Sequence, residues 1–123
     1  MARKKILLVD DSETNLMIEQ MILKKGAYDI VTAKDGQEGV AKAVEVKPDL
    51  ILMDVVMPNM NGFEALKQIR QQEKTKEIPI LMVTTRGEAE SMETSYLSGC
   101  SDYVTKPINA VELLAKIKNF LGE

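Results

Sequence analysis

The stretch Leu50-Ile51-Leu52-Met53-Asp54-Val55-Val56-Met57-Pro58 reads as a short strand, apolar on both faces, that stops on a carboxylate. Four apolar residues in a row are what a strand covered on both sides of a parallel sheet presents. The same event recurs on either side. Upstream, Ile6-Leu7-Leu8-Val9 stops at Asp10-Asp11, and Ile30 to Ala33 forms a second run. Downstream, Ile78-Pro79 introduces Ile80-Leu81-Met82-Val83, which ends at Thr84, and Tyr103-Val104-Thr105 ends at Lys106-Pro107.

Helical patterns fill the intervals. Glu13 to Lys25 is one, with Ser12 placed to cap it and Gly26 to end it. Asp35 opens the next, with Glu38 three residues on as in a capping box, and it stops before Pro48. A loop from Val55 to Asn61 leads into a helix from about Gly62 to Gln72. Glu88 to Leu97 is the fourth helix, stopped by Gly99, and Ala110 to Leu121 is an amphipathic fifth. Five strand–helix units predict an α/β fold, one domain over residues 1–123, with a doubly wound five-stranded parallel sheet and helices on both faces. Ligands of such folds bind beyond the carboxyl ends of the strands. Asp10, Asp11, Asp54, Thr84 and Lys106 all fall at strand ends, so the topology brings them to one rim.

Composition narrows the chemistry. A length of 123 residues, 45% apolar and 28% charged, suits one globular domain. A net charge of −3 with scattered basic residues argues against a direct nucleic-acid interface, and Arg3, Lys4 and Lys5 read as the solvated flank of the first strand. No apolar run is long enough to span a membrane and no signal-peptide pattern opens the chain. The single cysteine, Cys100, lies among small residues and reads as packed rather than reactive; with no internal disulfide available, a cytoplasmic location is expected. There is no histidine. Histidine-based zinc sites, Ser–His and Cys–His catalysis and a phosphohistidine on this chain are therefore excluded.

What remains is carboxylates, a hydroxyl and a lysine. Three clustered carboxylates repel one another unless a cation joins them, and hard oxygen ligands select Mg²⁺, with Mn²⁺ as the alternative. A metal, an ammonium and a hydroxyl suit a phosphoryl group, and a carboxylate can itself be the nucleophile. Each residue alone has a plainer reading, as a cap, a strand end or a solvated lysine; it is their convergence that favours a site.

The motifs Leu8-Val9-Asp10-Asp11, Leu52-Met53-Asp54 through Gly62, Val83-Thr84 and Asp102-Tyr103-Val104-Thr105-Lys106-Pro107 resemble those of response-regulator receiver domains, over nearly the whole chain. The resemblance implies a flavodoxin-like strand order 2-1-3-4-5 and a two-component phosphorelay function. It implies that Asp54 is the phosphoacceptor, that Asp11 is a direct metal ligand and Asp10 largely a water-mediated one, and that the Val56 backbone carbonyl completes the protein ligands. By the same resemblance Thr84 and Lys106 bind the phosphoryl, Thr84 and Tyr103 act as the switch, and the bond before Pro107 is cis. Val56 and Arg86 stand where the family tunes hydrolysis; the apolar Val56 and the cationic Arg86 predict a long-lived phosphorylated state. Thr85 also departs from the alanine common in relatives.

The donor implied is a sensor histidine kinase or histidine phosphotransfer protein. The output face is that of the 88–97 helix, the fifth strand and the last helix, on a monomer or a phosphorylation-dependent dimer. Helix one carries a wide apolar belt, of which Ile18 and Ile22 are assigned to the core and Leu16 and Met17 to partner docking. A haloacid-dehalogenase-like phosphatase is the enzymatic alternative, but Asp10-Asp11-Ser12 lacks a second Asp two residues after the first. A nucleotide or flavin binder would need a Gly- or Ser/Thr-rich loop after strand one, and Ser12 to Asn15 contains no glycine. The start at Met1 and the end just after the last helix favour a stand-alone protein over a receiver cut from a larger regulator or hybrid kinase.

Overall fold

The structure, a computed structural model, describes residues 3–57, 59–84 and 99–122. Pro58, Thr85, Arg86 and the expected 88–97 helix lie outside the described residues. In chain order the elements are β1 (Lys4–Val9), α1 (Glu13–Leu23), β2 (Tyr28–Ala33), α2 (Gly36–Val46), β3 (Leu50–Asp54), α3 (Gly62–Gln71), β4 (Ile80–Thr84), β5 (Asp102–Thr105) and a C-terminal helix, α4 (Ala110–Leu121). The five strands are parallel in the order β2-β1-β3-β4-β5, as the resemblance implied.

Alternate residues of each apolar run go to opposite faces, which is why the runs are continuous. Leu7, Val9, Ile51, Met53, Ile80 and Met82 meet Ala43 of α2 and Ala65, Leu66 and Ile69 of α3. Ile6, Leu8, Leu50, Leu52, Leu81 and Val83 meet Leu16 and Leu23 of α1 and Leu113 and Ile117 of α4. Each described helix is capped at its start by a side chain that accepts from the third helical N–H: Ser12 from Asn15, Asp35 from Glu38, Asn61 from Glu64 and Asn109 from Glu112. Such caps stabilise a helix by about 1 kcal/mol each.

Helix α1 corrects two expectations. Leu16, assigned to docking, is buried at 5% exposure in the second-face core, and Ile18, assigned to the core, is 46% exposed. The buried stripe of α1 is Leu16, Glu19 and Leu23, with Ile22 partly covered beside it. A carboxylate in the middle of that stripe breaks the apolar period from which the inward face would be read. Met17 is exposed, as expected, and Met21 with it. No helix among the described residues is long and apolar enough to cross a membrane.

Candidate functional site

The strand register fixes the rim. Val9 is level with Met53, Asp54 with Val83, and Thr84 with Thr105, so β1, β3, β4 and β5 end together. Asp10 and Asp11 follow β1, Asp54 closes β3, Thr84 closes β4 and Lys106 follows β5. Asp10, Asp54 and Thr84 are buried, whereas Asp11 is exposed. Each of Asp10, Asp11 and Asp54 offers a carboxylate oxygen, and these oxygens lie within 4.8 Å of one another.

Local hydrogen bonds place the Asp10 carboxylate and the chain that follows Asp54. Asp10 accepts the Ser12 N–H at Oδ1 (2.9 Å), which ties it to the start of α1 and leaves Oδ2 buried with no hydrogen-bond partner among the described residues. The Val55 N–H donates to Val83 O and the Gly62 N–H to Val55 O, so the chain after Asp54 folds back onto α3. A Cβ on Gly62 would run into the Asp54 carbonyl oxygen, so only glycine lets α3 start this close to β3. On the far side, Lys106 Nζ is 3.0 Å from Asp54 Oδ1. The two groups form an ion pair at that buried oxygen. The Lys106 N–H donates to Thr84 O at 2.7 Å, coupling those two rim residues through the main chain. The Lys106–Pro107 peptide bond is cis.

The charges are out of balance. Burial raises Asp54 to about 6, with the Lys106 ammonium pulling the other way and Asp10 adding to the rise. Burial also works against the Lys106 ammonium, but Asp54 and Asp10 outweigh it and hold its pKa above the ordinary value. Among the described residues, three carboxylates and the Lys106 ammonium, with a buried Asp10 oxygen that has no hydrogen-bond partner, make a donor set that fits a hard divalent cation.

Glu19 is the residue that the sequence reading missed. It is 1% exposed, its Oε1 has no hydrogen-bond partner among the described residues, and its pKa is pushed up to about 8, first by burial and then by Asp10 and Asp54, with Lys106 opposing. The available signal was its spacing, three residues after Leu16 and four before Leu23. A second unforeseen feature is a cleft of about 280 Å³ beside Lys106, lined by Asn15, Ile18, Lys106, Pro107 and Ile108. Val56 projects at the rim, 60% exposed. Tyr103 is half-buried on β5, opposite Met82 and packed against the first-face core.

Comparison with known proteins gives this geometry a family. The profile of the response regulator receiver domain matches residues 6–118. The chain belongs to the response regulator receiver family. Among curated relatives, the receiver is 42% identical over 118 residues to the alkaline phosphatase synthesis transcriptional regulatory protein PhoP of Bacillus subtilis, covering 96% of this chain and 48% of PhoP. It is 38% identical over 118 residues to protein PilH of Pseudomonas aeruginosa, covering 96% of this chain and 98% of PilH. The chain thus spans about half of one relative and nearly all of the other. Among solved structures, the receiver domain of sensor histidine kinase PA1611 of Pseudomonas aeruginosa superposes with a TM-score of 0.90 at 30% identity, covering 99% of this chain and 100% of that one. That structure has a magnesium ion coordinated in its active site cleft. The receiver described here is accordingly a two-component signalling domain with an acidic pocket suited to a metal.

Proposed function

We propose that this receiver accepts a phosphoryl group on Asp54 from a phosphohistidine on a histidine kinase or histidine phosphotransfer protein, and that it changes its affinity for a downstream partner as a result. The observation that carries the proposal is the setting of Asp54: a buried carboxylate at the end of the central strand, between Asp10 and Asp11 on one side and the Lys106 ammonium on the other. An Asp54 oxygen attacks phosphorus, the O–P bond forms, the donor's N–P bond breaks, and the imidazole leaves with the electron pair. Asp10, Asp11, Asp54 and the Val56 carbonyl would hold Mg²⁺, or Mn²⁺ in its place; when bound, the ion supplies positive charge against the phosphoryl oxygens. Lys106 and the Thr84 hydroxyl would take the remaining phosphoryl oxygens, and Tyr103 would turn as Thr84 moves. The output face would include β5 and α4. A cytoplasmic setting accords with that donor chemistry. Asp54→Asn, argued in the Discussion, tests the acceptor.

Docking is proposed on the outward face of α1. Met17 and Met21 are 63% and 66% exposed, and Ile18 joins them to the cleft beside Lys106, so an apolar surface runs up to the acceptor's rim. Met17→Glu is expected to slow phosphoryl transfer from the protein donor about tenfold while leaving labelling by a small acyl phosphate unchanged. Equal slowing of both reactions would remove Met17 from the docking surface.

Val56 is proposed to shield the phosphorylated state. It has no polar atom to hold an attacking water, and it stands exposed beside the acceptor. Val56→Asn is expected to accelerate loss of the phosphoryl group several-fold, about half to one order of magnitude, because water positioning dominates this hydrolysis. The decay rate in Mg²⁺, without a phosphatase, is the measurement; an unchanged or slower rate would contradict the shielding role.

A further inference from the structure

Lys116 makes four contacts at one point. From α4, its ammonium donates to the Tyr103 carbonyl oxygen at 2.6 Å and lies 5.5 Å from the centre of the Tyr103 ring. The Asp102 Oδ2 is 3.5 Å away and the Glu112 Oε1 3.7 Å. The other oxygen of Asp102 accepts the Tyr103 N–H at 2.8 Å. Both main-chain polar groups of Tyr103 are therefore held by side chains, and those two side chains are held to each other.

The placement of these groups matters more than their number. Among the described residues β5 is an edge strand, and edge strands need their exposed main-chain groups covered. The Tyr103 ring packs on the first-face core, whereas α4 is anchored in the second-face core by Leu113 and Ile117, both fully buried. Lys116 sits next to Ile117, so its position is set by the packing of α4, and its side chain reaches across the sheet edge to Tyr103. Exposed ion pairs alone would contribute little, but here the shortest contact is a charge-assisted hydrogen bond to a carbonyl, at a half-buried lysine shared by two carboxylates and a ring.

We infer that Lys116 is a latch on Tyr103, a positioning residue that ties the main chain and ring of Tyr103 to α4 and holds the ring in the orientation seen here. A ring that turns away loses the ammonium, so the latch sets the population of the alternative rotamer. The regulatory meaning of the latch rests on the proposed role of Tyr103 as the responding aromatic.

The test is the χ1 population of Tyr103, from three-bond couplings in the unphosphorylated protein. The parent is expected to hold one rotamer. Lys116→Met, which keeps the length of the stem, is expected to raise the minor rotamer about tenfold, and Lys116→Arg to restore most of the order. Rotamer averaging already present in the parent, or equal populations in parent and Lys116→Met, would overturn the latch. Should Lys116→Met fail to fold, Lys116→Gln is read in the same way: a raised minor rotamer supports the latch and an unchanged population overturns it. The two readings separate on adding a small acyl phosphate with Mg²⁺ to the parent. A Tyr103 rotamer that does not respond there counts against the switch, whereas the latch stands or falls on the unphosphorylated protein alone.

Discussion

Asp54→Asn is expected to reduce Mg²⁺-dependent labelling by a small acyl phosphate by roughly a thousandfold or more, while the chain stays folded. The amide is nearly isosteric, but its oxygen is a poor nucleophile and carries no charge, so the covalent route is lost rather than slowed. Folding should not suffer, because the carboxylate is a burden where it stands: burial raises its pKa to about 6 and Asp10 adds to the rise. Asp11 provides the contrast. It is exposed, and Asp11→Asn should keep the acceptor but need more Mg²⁺ for the same rate. Stoichiometric labelling of Asp54→Asn under the same conditions would show that another residue is the acceptor.

The second large effect is on stability. Glu19→Gln should stabilise the metal-free protein at pH 8 by about 2–3 kcal/mol. The sign follows from the pKa values. Glu19 stands at about 8 in the folded chain against a reference of 4.5, because of burial first and Asp10 and Asp54 next. Between those values the unfolded chain has released the proton and the folded chain has not. The stability present below pH 4.5 is therefore lost as pH rises towards 8, at up to about 1.4 kcal/mol per pH unit. Asp54 adds a loss of the same sign from 3.8 to about 6. Among the described residues, the remaining slope above pH 6 belongs to Glu19, and Glu19→Gln should flatten it. Chemical denaturation in a chelator, from pH 6 to 8, measures this; parallel slopes for parent and variant would show that Glu19 ionises freely in the folded chain.

Much of this architecture was legible because parallel sheets announce themselves. Buried strands leave apolar runs, and the residue that ends each run marks the rim; Asp10, Asp54 and Thr84 were found that way. The caps at Ser12 and Asp35 were legible too, and Asn61 and Asn109, each with a glutamate three residues on, carried the same signal unread. The order of the strands came from resemblance, since the spacing of the runs does not say which strands are neighbours. The inward face of α1 was misread because its middle residue is Glu19, so Leu16 was assigned to docking and Ile18 to the core. Lys116 was silent for a different reason. A lone lysine on an amphipathic helix looks like any solvated charge until the fold brings it to Tyr103, 13 residues away in sequence.

The most direct test of the acceptor is chemical. After reaction with a small acyl phosphate and Mg²⁺, borohydride reduces an aspartyl phosphate to homoserine and so marks the residue that carried it. Peptide sequencing of the reduced protein is predicted to place homoserine at position 54 and nowhere else. Homoserine at position 10 or 11, or none in protein that has demonstrably taken up phosphoryl, would contradict the account.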